Sequence, residues 1–358
     1  MNVVRPGLLR QLRATPVAVA LAAAQVVVLA VVAWRLGDPT DVRVLVRAGA
    51  LERGRVEAGE WWRLVSAGFV HVGWIHLGAN VLFGLGWSRL VERALGSARF
   101  LAVYLLAGVG ASAASLLAQD VVGAGASGSL FGMIGATLVL HRRTLPGWGP
   151  FLRSPATVQV VGSLAAWTAV ALLGGLPIDH AAHAGGLVTG GAAAWLVTAP
   201  GPRPAGRWLA FAAALLAVAA AAVWPRPGLS RFEKNRLVEE LDGTVYRALQ
   251  AKDAPAARAA LARVAEAGID NEGFEVYRAI LAVQEHRLEA AAGILRPLAA
   301  DPHGRVRRQA RLELGGVARE LGLERLDAGD RPGAARWLRE ACAAGDDQGC
   351  ALADQLGP

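Results

Sequence analysis

Ser127 lies in the tetrapeptide GASG at 125–128, and an apolar run, SLFGMIGATLVL, follows it directly. A serine there becomes a nucleophile only with a proton acceptor, a place for an oxyanion and access for water. Two further polar clusters interrupt apolar sequence. HVGWIHLGAN at 71–80 holds His71, His76 and Asn80. The spacing of four puts His76 and Asn80 on one helix face, with His71 at the entry. DHAAHAGGLVTGG at 179–191 opens with His180 and His183. Together these residues predict a Ser127–His183 pair, with His76 and Asn80 stabilising the anion. Taken alone, GxSG also describes a small residue easing helix packing. It is not the GxSxG turn of soluble hydrolases, because position 129 is serine. A metal site is the other use for such histidines. Cysteine partners are lacking, and Asp120 and Asp179 sit at loop ends. Neither a metal nor a cofactor is therefore expected.

The elements that must carry these residues are apolar. Runs at about 17–34, 74–92, 99–118, 127–141, 156–175, 180–198 and 207–224 approach the ~20 residues that cross a ~30 Å hydrocarbon layer. Polar groups inside such runs are costly, which makes them functional candidates. Gly128, Gly132 and Ala136 form one stripe of small residues, and Ala182, Gly186 and Gly190 form another. Such stripes let membrane helices approach closely, so the fourth and sixth runs are expected to pack together. Arg5, Arg10 and Arg13 precede the first run. Arg89, Arg93 and Arg99 surround the end of the second, Arg142, Arg143 and Arg153 follow the fourth, and Arg203 and Arg207 follow the sixth. The positive-inside rule then predicts a cytoplasmic N-terminus, seven crossings and a C-terminal domain outside. The first run is full length and the apolar pattern continues after it, so no cleavable signal peptide is expected.

The clusters resemble the rhomboid family of intramembrane serine proteases, over about residues 15–200 and in the family's order. GEWWR at 59–63 is similar to its first-loop element, giving Glu60, Trp62 and Arg63. HVGWIHLGAN resembles His-x4-His-x3-Asn, and VERALG, with Glu92 and Gly96, the end of that span. GASG resembles Gly-x-Ser-Gly, and AHAGGLVTG resembles Ala-His-x2-Gly-x3-Gly, with Gly186 and Gly190 as its glycines. His180 departs from the Asn found in many members. The resemblance implies Ser127 as nucleophile and His183 as general base and then acid. It also implies an oxyanion site of His76, Asn80 and the Ser127 amide within the GASG loop, where Gly125 and Gly128 flank it, with His71 supporting the mouth. Asp179 is not required as a third member. Single-span membrane proteins would be the substrates, cleaved through an acyl-enzyme. The competing reading is a non-catalytic rhomboid-like scaffold or chaperone that binds client helices; inactive relatives would lack the serine or the histidine, and this chain keeps both. A transporter or channel would distribute polar residues along a whole crossing.

The predicted fold is all-α: a membrane bundle, then a soluble helical domain. A cytoplasmic segment at 1–16 leads into a six-helix core at 17–200 and a seventh helix at 201–226, read as a tether. Residues 227–358 form a soluble domain similar to tetratricopeptide or Sel-type repeats, with hairpins at 273–302 and 331–357 and a peptide or protein as its possible ligand. Cys342 and Cys350, the only two cysteines, can pair if the domain lies in an oxidising compartment. The net charge of +8 is explained by the arginines on one side, and no nucleic acid partner is expected. Abundant Ala, Gly and Arg with little Lys suggests a bacterial chain of high genomic GC, placed in the cytoplasmic membrane.

Overall fold

The computed structural model describes residues 14–174, 178–199 and 205–357. Arg5, Arg10, Arg13 and Arg203 of the orientation argument lie outside them. The chain divides into two compact units between Phe232 and Glu233. Among the described residues it is helical, with an isolated antiparallel bridge between Leu51 and Gly123.

The first unit begins with α1 (Pro16–Arg35), whose proline occupies the first turn, where a missing N–H costs nothing. The Glu92 carboxylate accepts the next amides, from Val17 at 3.0 Å and Ala18 at 2.8 Å, and takes the Ser97 hydroxyl at 2.6 Å. A buried negative charge is thus spent on the free donors and positive dipole end of a helix. Three short helices follow: α2 (Val42–Ala48), α3 (Arg53–Glu57) and α4 (Arg63–Ser66). Then come α5 (Gly73–Leu95), α6 (Ser97–Ala118), α7 (Ser127–Arg143), α8 (Trp148–Arg153), α9 (Pro155–Leu173), α10 (His180–Val197) and α11 (Ala205–Val223).

By length and composition alone, α1, α6, α9 and residues 206–223 of α11 can cross a membrane. Helices α5, α7 and α10 carry the site, and they spend positions on His76, Asn80, His180, His183 and glycines instead of apolar side chains. Helices α7 and α10, with α6, form the packed interior. A Cβ on Gly186 would lie 2.0 Å from the Gly128 carbonyl oxygen, and one on Gly190 would lie 2.5 Å from the Gly132 Cα. The small-residue stripes therefore put α7 and α10 backbone to backbone. Met133, Ala136, Ala193 and Ala194 close the seam against Phe100 and Tyr104 of α6. The outer faces are apolar and uncovered, with Ile75 at 92% exposure and Leu173 at 90%. Continuous exposed apolar surface of that kind belongs in lipid, and it supports an integral membrane protein.

The second unit starts within α12 (Arg231–Gln250) and continues through α13 (Ala254–Glu266), α14 (Glu272–Gln284), α15 (Leu288–Ala300), α16 (Arg307–Asp327), α17 (Arg331–Ala344) and α18 (Asp347–Leu356). Asp253, Asn271, Asp330 and Asp346 cap α13, α14, α17 and α18 by accepting first-turn amides. Leu288 and Leu295 of α15 pack on Leu314 and Leu321 of α16 and Trp337 of α17. Helices turn back at 285–287 and at 345–346, within the two predicted hairpins. A disulfide joins Cys342 to Cys350 across the second turn.

Candidate active site

Ser127 is the first residue of α7, and His183 lies one turn into α10. Asp179 sets that turn: it precedes the helix and accepts the Ala182 amide at 2.8 Å. Gln119 donates to the same oxygen, and the other oxygen takes the Ser115 hydroxyl. Asp179 therefore orients the start of α10 and makes no bond to the His183 ring. The His183 Nε2 lies 2.9 Å from the Ser127 hydroxyl oxygen. With Nε2 accepting that proton, the ring's own proton is on Nδ1. Phe131 stacks on the imidazole at 3.9 Å between centroids and 11° between planes. It stands four residues after Ser127, so one helix presents both the hydroxyl and the surface that fixes its partner. The sequence reading did not include Phe131. The i,i+4 spacing was the available signal, but one aromatic in an apolar run looks like any core residue.

The loop before Ser127 is held from several sides. Leu51 and Gly123 exchange both backbone bonds, at 2.8 and 2.9 Å, and the Gly125 amide donates to Ala67 at 2.9 Å. Gly125 has φ +125°, and a Cβ there would stand 2.6 Å from the His76 ring. Only glycine admits both the backbone and the imidazole. His71 is fully buried and bridges two segments: it accepts the Ala126 amide at Nε2, 3.3 Å away, and donates from Nδ1 to the Phe69 carbonyl at 3.2 Å. Asn80, on the same face of α5 as His76, donates to the His76 carbonyl at 2.9 Å. Its amide group has a second N–H to offer. Gly128 would put a Cβ 2.4 Å from Ala111 of α6, so its smallness seats the first turn of α7. A cavity of about 70 Å³ beside Ser127 is lined in part by Ser112, Ser115 and Asp179, enough for a few waters.

Glu60, Trp62 and Arg63 stand away from the pair and hold the segment that supports the loop. Arg63 binds Glu60 at 2.6–2.7 Å and caps α2 through the carbonyls of Val46, at 2.7 Å, and Ala50, at 2.8 Å. Trp62 lies under the Arg63 guanidinium, 4.7 Å from it. Burial raises the Glu60 carboxyl, but the Arg63 hydrogen bond and charge, with Arg55 behind, outweigh it and hold the group below its ordinary value of 4.5. Gln25 of α1, also absent from the sequence reading, donates to the buried Tyr104 hydroxyl at 3.0 Å. Among the described residues, no three His, Cys, Asp or Glu side chains come together as a metal site.

Fold and site define a helical membrane protein with a serine–histidine pair at the start of two abutting helices. Residues 58–200 match the Rhomboid domain family. Rhomboid protease GluP of Bacillus subtilis (strain 168) is 37% identical over 186 residues, covering 51% of this chain and 35% of that protein. RHOMBOID-like protein 5 of Arabidopsis thaliana is 34% identical over 160 residues, 42% of this chain and 48% of that one. Rhomboid-like protease 5 of Toxoplasma gondii is 32% identical over 157 residues, 43% of this chain and 18% of that one. The chain thus spans less than half the length of each of these relatives. The matches support the rhomboid family.

Proposed function

We propose that this chain is an intramembrane serine endopeptidase of the rhomboid type, acting through Ser127 and His183. The carrying observation is the 2.9 Å approach of the Ser127 hydroxyl to His183 Nε2 at the start of α7. His183 takes the hydroxyl proton while Ser127 attacks the scissile carbonyl, and the proton passes to the leaving amine. The acyl-enzyme is then hydrolysed by water activated at the same imidazole. The tetrahedral oxyanion would meet the unpaired amides of the first α7 turn, the second N–H of Asn80 and His76. In this reading α5, α7 and α10 also cross the bilayer, giving six core helices and α11 as a seventh. An odd number of crossings places the two ends on opposite sides. Arginines after α5 and α7, and a disulfide in the second unit, support a cytoplasmic N-terminus and an exported C-terminal unit in a bacterial membrane.

Substrates on this reading are single-span membrane proteins that unwind near small or helix-breaking residues, because the peptide bond must leave its helix to reach Ser127. The second unit, a stack of helical hairpins, would offer a peptide or protein ligand a surface, in the manner of repeat domains. Labelling of the detergent-purified protein with a fluorophosphonate tests the chemistry. The wild type should react at Ser127, and Ser127→Ala and His183→Ala should not. Failure of the folded wild type to label, beside a rhomboid that does, would refute the reading and favour a client-binding scaffold.

A further inference from the structure

Helix α11 is exposed along most of its length, yet Ala222 in its last turn is buried. Ala222 is 1% exposed and packs with Leu51, Val56, Ala67, Ala113 and Leu116. The polar contacts continue where the apolar ones stop. Arg226 donates to the Leu116 carbonyl at the end of α6, 2.6 Å away, and lies 4.0 Å from Glu57. Arg53, only 7% exposed, donates to the Leu229 carbonyl at 2.8 Å and pairs with Asp120 at 3.1 Å and Glu57 at 3.5 Å. The Arg231 amide donates to the same Asp120 carboxylate at 2.9 Å. Three segments distant in sequence therefore share one partly buried set of charges: α3, the segment after α11, and Asp120. Asp120 opens the loop at 119–126 that delivers Ser127.

We infer that Arg53, Asp120 and Arg226 are positioning residues, and that the exit of α11 is part of the frame that sets Ser127 rather than a tether alone. The physical reason is that the bonds to Leu51, Ala67 and His71 gather toward the Ser127 end of the loop. Its other end is held by Gln119 to Asp179 and by the Asp120 carboxylate to Arg53 and the Arg231 amide. Removing the Arg226 guanidinium takes that donor from the Leu116 carbonyl and one of two cations from the largely buried Glu57, and a buried acceptor left unpaired costs more than its bond contributed. A small displacement of a nucleophile is enough to slow chemistry by an order of magnitude or more.

The inference rests on the proposed chemistry for its rate readout but not for its structural one. In full-length protein, Arg226→Gln should speed deuterium exchange at the Gly123 and Gly125 amides by about tenfold and leave the 180–197 helix unchanged. The maximal rate of Ser127 labelling should fall about tenfold, with the half-saturating probe concentration unchanged. Arg226→Lys, which still donates to Leu116, should recover most of both. Asp120→Asn, a milder change that keeps an acceptor for Arg231, should act in the same direction if Arg226→Gln fails to fold. Unchanged exchange in a folded variant overturns the anchor whatever the labelling does. An unlabelled wild type with the exchange shift intact refutes the protease reading and leaves the anchor standing.

Discussion

His183 has a hydroxyl at one nitrogen and a phenyl ring against its face, and the second contact holds the imidazole in place for the first. Stacked rings are worth roughly 0.5–1.5 kcal/mol. Phe131→Ala should therefore lower the labelling rate of Ser127 about 3- to 10-fold, while Phe131→Tyr leaves it near the wild-type value; equal rates in all three would show that the ring only fills space. Glu60 makes a different kind of prediction. Its pKa in the folded chain is lowered, so the Arg63 pair stabilises above the ordinary carboxylate value of 4.5 and the contribution is lost as pH falls through the lower folded value. Unfolding temperatures followed from about pH 6 down to about pH 3 should drop more steeply for the wild type than for Glu60→Gln. Parallel curves would mean the pair is solvated and contributes nothing.

At the scale of elements, glycine decides which helices can meet. A methyl group on Gly186 would run into the Gly128 backbone, which cannot swing aside as a side chain would. Gly186→Ala should cost about 2–3 kcal/mol or more and abolish labelling by parting α7 from α10. Gly162 of α9 has open space around its Cβ direction. Gly162→Ala should be neutral or stabilise by about 0.5–1 kcal/mol, as alanine does in a helix interior. Thermal unfolding in detergent separates the two, and similar losses would refute the backbone contact. The stripe Gly128–Gly132–Ala136 was readable in the sequence because small residues repeated every fourth place, and so was the start of α7 at Ser127. The three short helices between α1 and α5 were not: charged residues break up any apolar run there, and the caps of the first two, Asp41 and Glu52, act only locally. Nor did spacing reveal that Arg53, Asp120 and Arg226 converge, since long-range charge pairing leaves no periodic mark.

At the scale of the molecule, the two units distribute their apolar surface differently. The first turns apolar faces outward; the second buries them in successive hairpins and caps four of its helices, α13, α14, α17 and α18, with a carboxylate or amide side chain. Its last helix, α18, has only ten residues and is secured by the Cys342–Cys350 bond, eight positions apart. Closing so short a loop should contribute about 2–3 kcal/mol in the chain-entropy account. Reductant, or Cys342→Ser with Cys350→Ser, should expose α18 to exchange and proteolysis while Ser127 labelling is unaffected. If α18 stays protected, the packing of α17 alone suffices.

Helix α7 has seventeen residues and ends in His141, Arg142 and Arg143. At ~1.5 Å per residue it rises only about 25 Å, less than a ~30 Å hydrocarbon layer. If, as proposed, α7 crosses with its basic end moored at one face, its other end, Ser127, stops short of the opposite face. On the proposed reading the helix works as a depth gauge: where a chain is cut is decided by how far it is drawn down from the surface, and residue preference acts only on what arrives there.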